Sequence, residues 1–184
     1  MKRSSLITYG LIISVIINLV MFQQIKNYKE EPRLAHFEEV QNGLNYSFQF
    51  AETLKDKYSE LSLDEKVEYL TAMYWSLTLS AWTLEDIKPN DKEYENLANL
   101  FSIYGHIPSE FTDLARKSHT DEEILDLLNT WLIDMKYLKE NFNYIQVSEF
   151  SDKELLEYLK SLLDGLEYDN NSLEQYRKSL GEAT

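Results

Sequence analysis

SLDEKVEYLTAMYWSLTLSAWTL, residues 62–84, opens with the residue pattern of a helix start and then repeats apolar residues at helical spacing. Ser62 and Glu65 lie three apart. The serine hydroxyl can accept from the backbone N–H of residue 65 while the glutamate reaches back to the N–H of residue 62, a reciprocal capping box. Behind it, Leu63, Val67, Leu70, Tyr74, Leu77, Ala81 and Leu84 advance in steps of four and three, which places them on one side of an α-helix. Met73, Trp75, Leu79 and Trp82 widen that stripe. A helix apolar around so much of its circumference is expected at the centre of a helical bundle. Lys88-Pro89-Asn90 ends it.

The same pattern extends in both directions along the chain. Upstream, Phe37, Leu44, Phe48, Ala51 and Tyr58 share one side of a helix expected from about Leu34 to Ser59, with Gly43 as its weak point. Downstream, Tyr94, Leu97, Phe101 and Tyr104 predict a helix over about Asp91–Tyr104, with Gly105 and Pro108 as its stop. Phe111, Leu114 and Ala115 suggest another turn or two. Two more capping boxes, Thr120 with Glu123 and Ser151 with Glu154, precede the stripes Ile124–Leu128–Trp131–Met135–Leu138 and Leu155–Leu159–Leu162–Leu166. Asn143–Phe150 reads as a brief extended piece, Asp169-Asn170-Asn171 as a turn, and Leu173, Tyr176 and Leu180 as a last short helix. The expectation is all-α, a helical bundle of about five or six helices over residues 34–180, with a frayed tail at 181–184.

Charge divides the chain differently. Of its 184 residues, 18 are Lys or Arg and 32 are Asp or Glu. Residues 1–33 carry five basic and two acidic side chains, whereas residues 34–184 carry 13 basic and 30 acidic ones, a net −17. Such a body is repelled by nucleic acid, whose affinity for proteins comes from neutralised phosphates, and by an anionic lipid surface. There is no cysteine, which excludes disulfides, thiolate metal sites and thiol catalysis. Lys far outnumbers Arg, and Asn, Ile and Tyr are abundant, the bias of an AT-rich bacterial genome.

The basic start frames an apolar run. After a short tail, residues 1–5, Leu6 to Phe22 gives 17 residues without a charge, about 25 Å of helix. With Gln23–Ile25 this reaches the thickness of a bilayer, so 6–25 reads as a transmembrane signal anchor and 26–33 as a juxtamembrane segment. No small-residue cleavage site follows it. The Lys2-Arg3 start places the acidic body on the extracytoplasmic side of a cell membrane, the opposite orientation being the alternative. Gly10, Ser14 and Asn18 recur every four residues, a small-residue face that suits helix–helix contact in lipid and hence a homo-oligomer through the span.

Chemistry-bearing motifs are missing. Five glycines, at 10, 43, 105, 165 and 181, cannot build a phosphate loop or a dinucleotide fingerprint. His36 with Glu39 is the nearest approach to a ligand pair, and a catalytic metal site needs three protein ligands. An EF-hand frame starting at Glu167 fails at Ser172 and Lys178. No cofactor, metal or catalytic residue is expected, and no motif is specific enough to name a family. Tyr69, Trp75, Trp82 and Trp131 are the candidate contacts, because Trp and Tyr are favoured anchors at interfaces. The resulting expectation is a non-enzymatic, membrane-anchored interaction module that binds a protein partner. The alternative is a ligand-binding or sensing domain whose aromatic residues line a cavity.

Overall fold

The structure, a computed structural model, describes residues 33–88, 91–116, 120–168 and 170–181. The expected tail, span and juxtamembrane segment up to residue 32, with Gly10, Ser14 and Asn18, lie outside the described residues. Seven helices and no strand occur among the described ones: α1 (33–57), α2 (Leu63–Ile87), α3 (Lys92–Arg116), α4 (Asp121–Asn141), α5 (Tyr144–Glu149), α6 (Asp152–Asp164) and α7 (Asn171–Gly181). They form one all-α bundle, and none of them is long and apolar enough to cross a membrane.

All three capping boxes are present. The N–H groups of Glu65, Glu123 and Glu154 donate to the hydroxyls of Ser62, Thr120 and Ser151 at 3.3–3.4 Å. The N–H groups of those three caps donate back to the glutamates at 2.8, 3.0 and 2.8 Å. Each box satisfies donors that the first helical turn leaves without a partner. Asn143 and Asn170 do the same work for α5 and α7, their side-chain oxygens accepting from Ile145, Gln146 and Leu173. That Asn cap corrects the expectation of an extended stretch: 144–149 is a short helix, which raises the helix count above the expected five or six.

The second correction concerns α3. Gly105 and Pro108 do not end it; the helix runs through both to Arg116. A proline inside a helix leaves the carbonyl four residues earlier without its backbone donor. That carbonyl belongs to Tyr104, and the indole Nε1–H of Trp131 donates to it at 3.1 Å. A side chain from α4 thus replaces the bond that Pro108 cannot make. Gly105 serves a different purpose: a Cβ there would lie 3.3 Å from Leu77 Cβ and 3.4 Å from the Tyr74 carbonyl, so its bare Cα lets α3 close on α2.

Gly43 has the same role on the other side of α2. A Cβ at 43 would stand 1.9 Å from Ser80 Oγ and 2.7 Å from the Ser76 carbonyl. Ser80 donates to the Val40 carbonyl at 3.4 Å and Ser47 to the Met73 carbonyl at 3.2 Å, two hydroxyl bridges across the crossing. α2 is therefore flanked by α1 and α3 at near-backbone distance.

This placement corrects the expectation for α2. It is not enclosed at the centre of the bundle: Leu70, Met73, Leu77, Ala81 and Leu84 are buried, while Leu63, Trp75, Leu79 and Trp82 remain exposed. The central volume is filled by Phe37, Leu44, Tyr94, Phe101, Tyr104, Phe111, Trp131 and Phe142. Rings from α1, α3 and the end of α4 meet there, with Phe37–Tyr94, Phe37–Phe142 and Phe101–Phe142 centroids 6.0, 6.3 and 5.8 Å apart. Such tilted and edge-on pairs add to the area-driven burial energy of each ring.

Polar ties fix the C-terminal helices on that core. Asp134, fully buried on α4, accepts from the Tyr104 hydroxyl and from the backbone N–H groups of Glu167 and Tyr168 at 2.7 and 2.8 Å. One carboxylate thus holds α3, α4 and the α6–α7 connection together. The Tyr176 hydroxyl of α7 donates to the Asn96 carbonyl of α3. At the opposite corner Lys66 reaches Asp121 at 3.3 Å and lies 3.9 Å over the Tyr58 ring, joining the end of α1 to the starts of α2 and α4.

Candidate functional site

The outward side of α2 carries Trp75, Leu79 and Trp82 with 45, 53 and 51% of their surface exposed. Spacings of four and three put them in one row along the helix. Single exposed apolar residues are ordinary on any protein surface; a contiguous row is not. The row is also internally ordered. Trp75 and Trp82 meet edge to face at 5.9 Å and 71°, and Tyr74 meets Trp75 at 5.2 Å and 72°. Tyr74 in turn contacts His106 on α3 at 5.4 Å. Rings held by one another lose little freedom on binding, which is what makes Trp and Tyr effective anchors.

The surroundings of the row are unusual for so acidic a chain. Residues 40–51 of α1, 69–84 of α2 and 96–109 of α3 contain no Asp, Glu, Lys or Arg. The glycine crossings bring these three windows side by side. Tyr46, one helical turn from Gly43, is 54% exposed on the α1 flank. His106, next to Gly105, is exposed on the α3 flank. The result is an uncharged aromatic face, roughly 24 Å long from the 1.5 Å rise per residue. Its ends are acidic, with Asp64, Glu65 and Glu68 at the start of α2 and Glu85 and Asp86 near its end.

The four expected contact residues separate on this basis. Trp75 and Trp82 belong to the exposed row. Tyr69 is half-buried, with its ring 6.4 Å from Phe50 of α1. Trp131 is completely buried and its N–H is bonded to Tyr104, which moves it from the candidate contacts into the core. Leu79, Tyr46 and His106 complete the face without having been singled out from sequence. The signal that could have found them is the coincidence of three charge-free windows in a chain that is 27% charged.

Other polar clusters are already occupied by structure. Both oxygens of Asp134 accept hydrogen bonds, and burial, with the Asp134 charge as the second cause, raises the Tyr104 hydroxyl far above its ordinary range. That phenol is a donor to the carboxylate and not a nucleophile at neutral pH. A groove of about 380 Å³ near the start of α1 is lined by Arg33, His36, Asp86, Lys88 and Asp152. Lys88 pairs there with Asp91 and, at 2.8 Å, with Asp152, and the two carboxylates raise its amine. A second groove, about 500 Å³, lies between α1 and α4 over Phe48, Leu132 and Ile133. Among the described residues no group of three or more His, Asp or Glu is arranged to hold a metal.

No protein-family model matches the chain, and no curated protein or solved structure is significantly similar to it. Fold and site stand on this chain's own residues.

Proposed function

We propose that this protein is a non-enzymatic helical interaction module, anchored by residues 6–25 in a cell membrane with its acidic body on the extracytoplasmic side, and that it binds a protein partner through the Trp75–Leu79–Trp82 face. The exposed row on α2 is the observation that carries this reading. Taken at about half of the 150–250 Å² that a large aromatic side chain can bury, the row and Tyr46 offer some 300–400 Å² of mainly apolar surface, the size of a functional patch on a monomer. A standard interface covers about 800 Å² per partner. The uncharged polar flanks on α1 and α3 supply the remaining area without desolvating a charge. The anchor is supported by the length of the apolar run and its basic flanks.

The test uses the full chain in its native membranes. Chemical crosslinking followed by affinity recovery is expected to yield a stoichiometric protein partner with the wild-type chain and to lose it with a Trp75→Ala/Trp82→Ala double variant. Recovery that is equal for the two chains places the contact elsewhere, and recovery of no partner with either overturns the reading.

A further inference from the structure

The exposed row of α2 is longer than its aromatic part. Steps of four and three carry it from Trp75, Leu79 and Trp82 back through Thr71 to Glu68 and Asp64, and forward to Asp86. All seven side chains are exposed. The row thus begins in two carboxylates, passes through an apolar middle and ends in a third. Glu68 and Asp86 lie 18 residues apart, about 27 Å on a helix that rises 1.5 Å per residue. Among the described residues, none of the three carboxylates is joined to another side chain by an ion pair.

The cations of α2 and its neighbours do not answer them. Lys66 stands about two and a half turns before Trp75, on the opposite side of the helix, where it is buried and held by Asp121 at 3.3 Å. Lys88 also lies off the row and pairs with Asp91 and Asp152. Asp86 shares a groove with Arg33 and His36, but Arg33 donates to the Phe150 carbonyl. Asp113 and Arg116, which line the α2–α3 groove with Thr71, offset each other. α4 provides the contrast. Glu122 and Glu140 are likewise exposed and 18 residues apart, and Asp126, Asn129, Ile133 and Lys136 form the row between them. There a carboxylate finds its cation in the same row, with Lys136 at 3.9 Å from Glu140. The α2 row holds no cation, and a ligand that covers its middle can supply one at each end.

We propose that the partner's contact is an amphipathic helix whose apolar stripe covers Trp75, Leu79 and Trp82, and whose Lys or Arg residues, about 27 Å apart, reach Glu68 and Asp86. This rests on the reading of that face as a docking surface and adds the chemistry of what docks. A helix matches the row turn for turn, because its own anchors recur in steps of three and four. Its width of about 10–12 Å covers the row together with a flank. The net −17 of residues 34–184 favours encounter with a basic helix and repels an acidic one. A second copy is the poorer occupant, because its row brings three more carboxylates and no cation.

The test titrates the full-length chain, held in phosphatidylcholine nanodiscs, with labelled synthetic helical peptides. One carries a leucine stripe over its middle turns and a Lys at each end, 18 residues apart. The second has Glu in place of those Lys, and the third has the two Lys only seven residues apart. A Trp75→Ala/Trp82→Ala chain gives the baseline for partition into lipid. The first peptide is expected to bind tightest, and its affinity to fall about fivefold to tenfold at low salt in Glu68→Lys/Asp86→Lys, which should prefer the Glu-ended peptide instead. Glu122→Lys/Glu140→Lys changes the net charge equally and should leave the order unchanged. Equal losses in the two charge variants would overturn the inference in favour of general attraction to an acidic body. Equal binding of all three peptides would overturn it in favour of apolar contact alone, and binding no tighter than the baseline would overturn it as well. Self-association through Leu79 that excludes the peptides would overturn it in favour of a second copy. Recovery from native membranes separates the inference from the reading beneath it. A partner lost with Trp75→Ala/Trp82→Ala but kept by Glu68→Lys/Asp86→Lys sinks the inference alone. A partner kept by both sinks the docking surface itself.

Discussion

α2 and α4 begin alike and end up with different surfaces. Both open with a capping box, both send a four-three apolar stripe into the same core, and both carry tryptophan. On α4 the positions off the stripe are those of a solvated helix: Glu122, Asp126, Lys136 and Glu140 are exposed, and Lys136 faces Glu140 at 3.9 Å. Its one large exposed apolar residue, Ile133, stands among charges. On α2 the off-stripe positions from 69 to 84 hold Trp, Leu, Met, Ala, Thr, Ser and Tyr and no charge. The two tryptophans of α2 face outward and that of α4 faces inward, bonded to the carbonyl that Pro108 frees. The buried stripes make these two helices a fold. The outward positions make one of them a candidate site.

Variants can break this contrast. The largest effect is expected on the α4 side. Asp134→Leu leaves the Tyr104 hydroxyl and two backbone N–H groups without an acceptor and should cost about 4 kcal/mol, at 1–3 kcal/mol for each buried donor left unpaired and some relaxation. Urea denaturation measures it, and a loss below 1 kcal/mol would mean that this carboxylate is not the tie between α3, α4 and the α6–α7 connection. Next comes Gly43→Ala. Alanine favours a helix by about 1 kcal/mol over glycine, yet its Cβ would meet the backbone of Ser76, so a net loss of about 2 kcal/mol is expected. Gly105→Ala, whose nearest contact is 3.3 Å, should cost less than Gly43→Ala. Trp131→Phe removes the donor to the Tyr104 carbonyl and part of the ring volume, for about 1–2 kcal/mol by the same denaturation.

Smaller still is the expected effect of opening the other side. Trp75→Ala with Trp82→Ala should leave folding stability within about 0.5 kcal/mol per site, as surface substitutions usually do, while abolishing partner recovery. A large loss of stability instead would show the row to be part of the core. The smallest effect is that of mild acid on the caps. Hydrogen bonds from Ser62 and Ser151 hold the Glu65 and Glu154 carboxyls below their ordinary value of 4.5. A carboxyl lowered in the fold stabilises above its unfolded value, and that contribution drains as pH falls through the folded one. Midpoints of denaturation should therefore decline slightly below about pH 4.5, and the decline should be shallower in Ser62→Ala/Ser151→Ala.

Much of the architecture was legible in the residues. The capping boxes and four-three stripes are local, so Ser62, Thr120 and Ser151 announce α2, α4 and α6 directly. What failed depended on partners distant in sequence. Gly105-x-x-Pro108 is a stop signal by local rules. It is overridden because Trp131, supplied by another helix, takes the orphaned carbonyl and because α2 needs the missing Cβ. The α2 helix looked fit for complete burial because its apolar arc is wide; periodicity records the width of such an arc and not how many neighbours cover it. Trp75 and Trp82 were identifiable as contacts by type, and Trp131 was indistinguishable from them until its indole found Tyr104. The flanks of the face, Tyr46 and His106, join it only through the two glycine crossings.

The distribution of tryptophan turns the protein into its own optical instrument. Trp131 sits in a dry environment with a fixed hydrogen bond, while Trp75 and Trp82 face solvent in edge-on contact. A Trp75→Phe/Trp82→Phe chain would fluoresce from the core alone and follow unfolding. A Trp131→Phe chain would fluoresce from the face alone, and its quenching by a soluble quencher would follow whatever comes to cover it. Folding and docking can be watched separately, in one sample cell and without an added label.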